Sequence, residues 1–208
     1  MPKHPAPIES TSLNDRFLDE AVETLRDGGI IIYPTDTLYA LGCSALSGSA
    51  IDKLCQFKGI DPRKNTLSIV CSDMSQASEY ARIDNKAFKI IRALTPGPFT
   101  FLLPASTTLP KVFKGRHMVG VRIPDNPIAR ELAAALGNPL LSTSIPVDES
   151  LGYEANTLPE EIMLRYENLP FEVMIDGGQG DIEPSTIVDL SDSSGPQIVR
   201  QGRGEFQL

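Results

Sequence analysis

Five short segments place polar side chains at the ends of apolar runs, where a buried sheet can offer chemistry to a ligand. The first is Tyr33-Pro34-Thr35-Asp36-Thr37-Leu38-Tyr39-Ala40-Leu41-Gly42-Cys43, directly after the apolar run Gly29–Tyr33. Pro34 has no N–H to extend a ladder. Thr35, Asp36 and Thr37 therefore land at the carboxyl end of a strand, a common ligand position in α/β sheets. The same residues also suit an ordinary β-turn with an aspartate cap. The second segment, Phe57 to Leu67, holds Lys58, Arg63 and Lys64 in a loop between a helix and a strand. Such a loop either clamps phosphates by charge-assisted hydrogen bonds or is simply a solvated basic loop. The third, Met118-Val119-Gly120-Val121-Arg122-Ile123-Pro124, sets an arginine among strand residues. Arginine is seldom buried without a partner. Arg122 either pairs with a structural carboxylate or faces a cleft and holds a ligand carboxylate or phosphate bidentately; the surrounding basic charge favours the second. The fourth, Ser142-Thr143-Ser144, closes a buried strand with hydroxyls that face ligand oxygens or cap the next loop. The fifth, Glu183 to Asp189, repeats the pattern with Ser185 and Thr186 leading a strand.

Common signatures are missing. No G-x-G-x-x-G follows a strand, and there is no P-loop, G-x-S-x-G or H-E-x-x-H. A Ser-His-Asp hydrolase would have to rely on His117, in a Lys/Arg-rich connector. Any phosphate would be bound by side chains and short loops.

The elements that must position these segments follow from periodicity and punctuation. Asn14 to Asp27 reads as an amphipathic helix presenting Phe17, Leu18, Ala21, Val22 and Leu25, stopped by Gly28. Gly29 to Tyr33 reads as a strand buried on both faces. Helices are expected over Ser49–Phe57, after the N-cap Asp84 (burying Ala87, Phe88, Ile91 and Leu94), from Pro127 to Gly137, and over Glu160–Tyr166. Strands are expected over Leu67–Cys71, Phe99–Leu103, Met118–Ile123, Leu140–Ser144 and Phe171–Ile175. Ser185–Leu190 and Gln197–Arg200 read as a hairpin. Strands and helices intermix from end to end, which predicts an α/β fold with a mixed parallel and antiparallel sheet and packed helices. Pro146–Thr157 is the least structured interior stretch and a candidate lid.

The chain has 208 residues and a net charge of −8. That charge is unevenly spread. Lys53–Arg130 holds 13 Lys/Arg against 5 Asp/Glu, a balance of +8, and the remainder carries −16. A basic centre between acidic ends suggests one face or cleft for an anion. Cys43, Cys55 and Cys71 are odd in number and irregularly spaced. They argue against a disulfide framework and for a reducing, cytoplasmic compartment. With His117 the only internal histidine, no metal site is expected. No apolar run approaches the ~20 residues of a membrane span. Residues 1–13 read as a flexible polar lead-in, and residues 14–208 as a single domain.

Taken in order, these segments resemble the YrdC-like family of threonylcarbamoyl-AMP synthases, over about Asp19 to Gly202. The resemblance rests on Tyr33–Cys43, Pro96-Gly97-Pro98-Phe99-Thr100, Gly120–Pro124, Ser142–Ser144 and Ser185–Asp189. It implies a YrdC-like twisted sheet with flanking helices around a positively charged cavity. It also implies a reaction of ATP, with Mg²⁺, L-threonine and bicarbonate that gives threonylcarbamoyl-AMP and pyrophosphate. A tRNA threonylcarbamoyltransferase complex would consume the product, and tRNA or double-stranded RNA is an implied ligand. By matching position, Thr35, Ser68, Arg122, Ser144 and Ser185 would contact threonine. Lys58, Arg63, Lys64, Thr66, Ser142 and Arg200 would meet the nucleotide, with Lys58 and Arg63 catalytic and Cys71 near the site. Two positions depart from the family pattern. Where the synthases carry Lys-x-Arg this chain has Lys58-Gly59-Ile60, with Arg63 following. Where they carry Ser-x-Asn it has Ser144-Ile145-Pro146, which resembles the YciO-like subgroup. The alternative function is a nucleotide- or RNA-binding protein with weak or lost synthase activity.

Overall fold

Alternate side chains of a strand go to opposite faces, and the run Ile30–Tyr33 is apolar throughout because both faces are covered. Ile30 and Ile32 enter one buried cluster, Ile31 and Tyr33 the other. The computed structural model describes residues 15–62, 64–115, 117–166, 171–192 and 195–207, without the side chains of Asp15, Lys114 and Glu149. The N-terminal lead-in and Arg63 lie outside the described residues.

The helices are α1 (Asp15–Arg26), α2 (Gly48–Lys58), α3 (Met74–Tyr80), α4 (Asn85–Leu94), α5 (Pro127–Leu136), α6 (Glu154–Thr157) and α7 (Pro159–Arg165). The strands are β1 (Ile31–Tyr33), β2 (Ala40–Ser44), β3 (Ser68–Val70), β4 (Phe99–Pro104), β5 (Met118–Arg122), β6 (Leu140–Ser144), β7 (Val173–Met174), β8 (Thr186–Asp189) and β9 (Gln197–Arg200). Short 3-10 turns lie at Lys111–Gly115 and Glu149–Leu151. The strands form one sheet in the order β7-β1-β2-β6-β3-β5-β4-β8-β9. The pairs β1–β7, β3–β5 and β4–β8 are parallel; the other neighbours are antiparallel. The fold is thus the mixed-sheet α/β architecture that the sequence predicts.

α1 and α5 pack on one face over Ile31, Tyr33, Ala40, Val70 and Leu140. α2, α3, α4 and α7 cover the opposite face, against Ile32, Leu41, Ile69, Phe101, Val121 and Leu141. The coverage is unequal. Ser142 and Ser68 are two residues from Leu140 and Val70, hence on the α1/α5 face, and there the sheet is left open as the floor of a cavity.

Several local features go beyond the sequence expectations. Ala40–Ser44, to which the sequence reading gives no element, is a fully buried strand. Helix α3, capped by the Asp73 side chain, has no apolar stripe to betray it, since only Ala77 and Tyr80 are buried. Phe88 is 40% exposed on α4, so the face of that helix turned to the core is narrower than its apolar spacing suggests. The stretch after β6 is held down. Asn156, 4% exposed, donates to the carbonyls of Asp148 and Gly152 and accepts from the Asp148 N–H and Arg165.

Candidate functional site

The open half of the sheet is floored by hydroxyls. Ser142 of β6 stands opposite Ser68 of β3, and Ser68 opposite Gly120 of β5. A Cβ on Gly120 would overlap Ser68 Oγ and stand 3.0 Å from Thr100 Cγ2. Glycine there lets the two side chains close over the β5 backbone. Thr100 Oγ1 and Ser185 Oγ are 2.9 Å apart and share a hydrogen bond. At the other end Tyr33 Oη donates to Ser142 Oγ at 2.7 Å. Ser68, Thr100, Ser142 and Ser185, with Thr37, Thr66, Thr143 and Ser144, line a cavity of about 260 Å³ whose apolar wall includes Leu54 and Ile60. A second, more open cavity of about 480 Å³ adjoins it at Thr37 and is lined by Thr35, Asp36, Asp125 and Asp181.

Two arginines face the main cavity, Arg122 and Arg200, and no carboxylate among the described residues lines it. Arg122 donates through Nη2 to Asp36 at 2.5 Å and to Thr37 Oγ1 at 3.2 Å. Asp36 also accepts the Asp125 N–H at 2.9 Å. Both partners are almost wholly buried, with side chains 11% and 8% exposed. Of the two readings of Arg122, the structural carboxylate is therefore present, and the guanidinium lines the cavity as well. Its Nε is buried without a hydrogen-bond partner, so its donor capacity is not spent on the protein. Arg200 donates to the Ser185 carbonyl at 2.8 and 3.2 Å. Burial, and then the charge of Arg122, hold its pKa below the ordinary arginine value, as expected where two cations converge. Lys58, at the end of α2, donates to the Ser144 carbonyl at 2.8 Å. Burial lowers its pKa too.

The fold therefore gathers Thr66, Ser68, Arg122, Ser142, Ser144, Ser185 and Arg200 on one cavity, with Lys58 at its edge. Thr35 lies in the adjoining cavity. Its hydroxyl donates to the Leu38 carbonyl and accepts the Thr37 N–H. Lys64 is exposed on the turn after α2 and is not among the lining residues. Cys71 is fully buried in the core, where desolvation pushes its thiol up in pKa, and it does not line the cavity. Sequence reasoning set Thr37 at a ligand-facing strand end but gave it no contact, and it missed Thr100, although that residue lies inside a quoted segment. It also missed Tyr33, whose polar end is hidden in an apolar run. The basic middle of the chain does not condense here: Lys86, Lys89 and Arg92 are exposed on α4, beside Phe88.

Comparison with known proteins agrees with this geometry. The Sua5/YciO/YrdC family model, described as telomere recombination, matches residues 23–202. Escherichia coli (strain K12) YciO is 38% identical over 202 residues, 96% of this chain and 96% of its own. The threonylcarbamoyl-AMP synthase of Halorhodospira halophila is 33% identical over 170 residues, covering 81% of this chain and 86% of that protein. The crystal structure of E. coli YciO superposes with a TM-score of 0.83 at 36% identity, over 93% of each chain. P. abyssi Sua5 complexed with L-threonine gives a TM-score of 0.80 at 28% identity, over 92% of this chain and 55% of that one. The matched span takes in every described strand from β1 to β9 and both arginines of the cavity, and the chain belongs to the Sua5/YciO/YrdC family.

Proposed function

We propose that the chain is a nucleotide-binding L-threonylcarbamoyladenylate synthase, acting on ATP, L-threonine and bicarbonate to give threonylcarbamoyl-AMP and pyrophosphate. The observation that carries this reading is the cavity itself. It has a hydroxyl floor, two arginines and no carboxylate among its described lining residues, and Arg122 keeps a buried donor without a partner. Such a site suits a ligand rich in anionic oxygens. The name of the H. halophila relative supports threonylcarbamoyl-AMP as the product, and the threonine bound to P. abyssi Sua5 supports threonine as a substrate.

The threonine amine and bicarbonate would condense to a carbamate with loss of water. A carbamate oxygen would then attack the α-phosphorus, the bond to the bridging oxygen would break, and pyrophosphate would leave. Charge grows on the phosphoryl oxygens, so positioned donors supply most of the catalysis. In this reading Arg122, Thr35, Ser68, Ser144 and Ser185 hold threonine. Lys58, Lys64, Thr66, Ser142, Arg200 and Arg63 serve the nucleotide. Among the described residues no group of three or more His, Cys, Asp or Glu is arranged to hold a metal ion. Mg²⁺ would enter with the substrate, on the triphosphate. The product would pass to a tRNA threonylcarbamoyltransferase complex in the cytoplasm.

A specific observation favours a second reading, a nucleotide- or RNA-binding protein with weak synthase activity. The family arginine position is Ile60, an apolar wall of the cavity. The family asparagine position is Pro146, whose carbonyl accepts from Arg165 and Tyr166 instead of facing a ligand. Loss of one well-placed donor to a transition state costs roughly 10²–10³ in rate. The test mixes the protein with ATP, Mg²⁺, bicarbonate and labelled threonine and follows threonylcarbamoyl-AMP by mass spectrometry, beside Arg122→Lys, which keeps a charge next to Asp36. Threonine-dependent product that falls at least about tenfold in Arg122→Lys establishes the synthase. No product from protein that still binds ATP overturns it in favour of the second reading.

A further inference from the structure

The phenol of Tyr33 lies in none of the segments' expected polar positions. Its side chain is fully buried in the cluster beneath α1 and α5. Its ring reaches from β1 across β2 to β6 over the backbone of Gly42, where an added Cβ would stand 2.7 Å from Tyr33 Cε1. The glycine opens the path by which the hydroxyl meets Ser142 Oγ at 2.7 Å, and no other protein partner of that hydroxyl is recorded among the described residues. A hydroxyl has one proton to give and two lone pairs to accept with. A phenol is the stronger acid of the two, so Tyr33 donates and Ser142 accepts. The Ser142 proton is then left to point elsewhere, and the cavity is what Ser142 faces. The opposite end of the floor is polarised in the same sense, because Arg200 donates to Ser185 Oγ at 3.4 Å as well as to its carbonyl.

We propose that Tyr33 is a positioning residue of this site, which fixes Ser142 as a hydrogen-bond donor into the cavity and toward the oxygens of the bound nucleotide. The proposal rests on the reading of Ser142 as a nucleotide contact. Burial raises the Tyr33 pKa to about 12, so the phenol keeps its proton across the working pH range.

The experiment is a double-mutant cycle on ATP binding by calorimetry, with Mg²⁺ present, using Tyr33→Phe, Ser142→Ala and the pair. Ser142 is only half-buried and can turn to water when the phenol is lost. Tyr33→Phe should therefore keep its Tm to within a few degrees. Tyr33→Phe should weaken ATP binding roughly 3- to 10-fold, the range for one hydrogen bond. In the Ser142→Ala background the same change should alter affinity by less than about twofold, because the group it orients is gone. A structural role for Tyr33 would instead weaken binding equally in both backgrounds, and that additivity overturns the proposal. So does unchanged affinity in Tyr33→Phe alone. If Ser142→Ala itself binds ATP like the parent, the nucleotide reading of Ser142 fails first, and the role of Tyr33 fails with it.

Discussion

Lys58 ends α2 half-buried, its ammonium on the Ser144 carbonyl. Removing the charge from water disfavours the protonated form, which is why its pKa falls below the ordinary lysine value. The protonated amine is the form that attracts phosphate. Affinity for ATP should therefore decline as pH rises through a window beginning below about 10.4, the unperturbed lysine value. Lys58→Arg stays charged throughout and should bind with a flat profile; titrations from pH 7 to 10 decide it. In folding the same shift means that the unfolded chain holds the proton more tightly. Between the two pKa values stability rises with pH. Sequence showed a lysine at a helix end. It did not show that the helix would aim that lysine at the last carbonyl of β6.

At the scale of elements, the segment after β6 decides whether the site has a lid. Composition reads Pro146–Thr157 as loose. In the fold, Asn156 ties the segment together from a buried position, and Arg165 on α7 anchors both Asn156 and the Pro146 carbonyl. Arg165 also lies over the Tyr166 ring, 4.6 Å from its centroid. Asn156→Ala strands the Asp148 N–H and two carbonyls. It should cost roughly 1–3 kcal/mol and raise hydrogen exchange across Asp148–Gly152 before the sheet opens. Exchange that rises equally in β6 would show that the segment is no separate unit. The hidden signal was a single Asn, a residue that sequence reading assigns to turns as readily as to a buried hub.

For the whole molecule, the ledger of charge and the shape of the site differ. Net charge is −8, yet the cavity is lined by two arginines and no described carboxylate. One of the two, Arg200, comes from the acidic C-terminal part of the chain, while the lysines of α4 lie elsewhere. The site is assembled by the sheet order, not by the run of charge along the sequence. A ligand that binds only the folded chain stabilises it by about 2.7 kcal/mol at one hundred times its Kd. For a chain of this length that is a Tm rise of roughly 5–10 °C. ATP should produce it in differential scanning calorimetry, and adenosine, without phosphates, should produce far less. Equal shifts would place the recognition on the base instead of the phosphates.

The sequence by itself determined most of the element types and the mixed sheet, and it named Thr66, Ser68, Arg122, Ser142, Ser144, Ser185 and Arg200, which the fold brings to the cavity. Strand burial, proline stops and helix caps are local and survive in a one-dimensional reading. It also posed the question of Arg122, since a strand arginine among apolar neighbours needs a partner. Only the tertiary structure supplied Asp36 as that partner, 86 positions away. Only the structure turned Tyr33 from a core aromatic into a donor beneath Ser142, 109 positions away. Hydrogen bonds between distant strands depend on sheet order and register, and neither is written in the spacing of residues along a single strand. That is also why Thr37, not Thr35, reached the main cavity: the turn after β1 decides which hydroxyl faces inward.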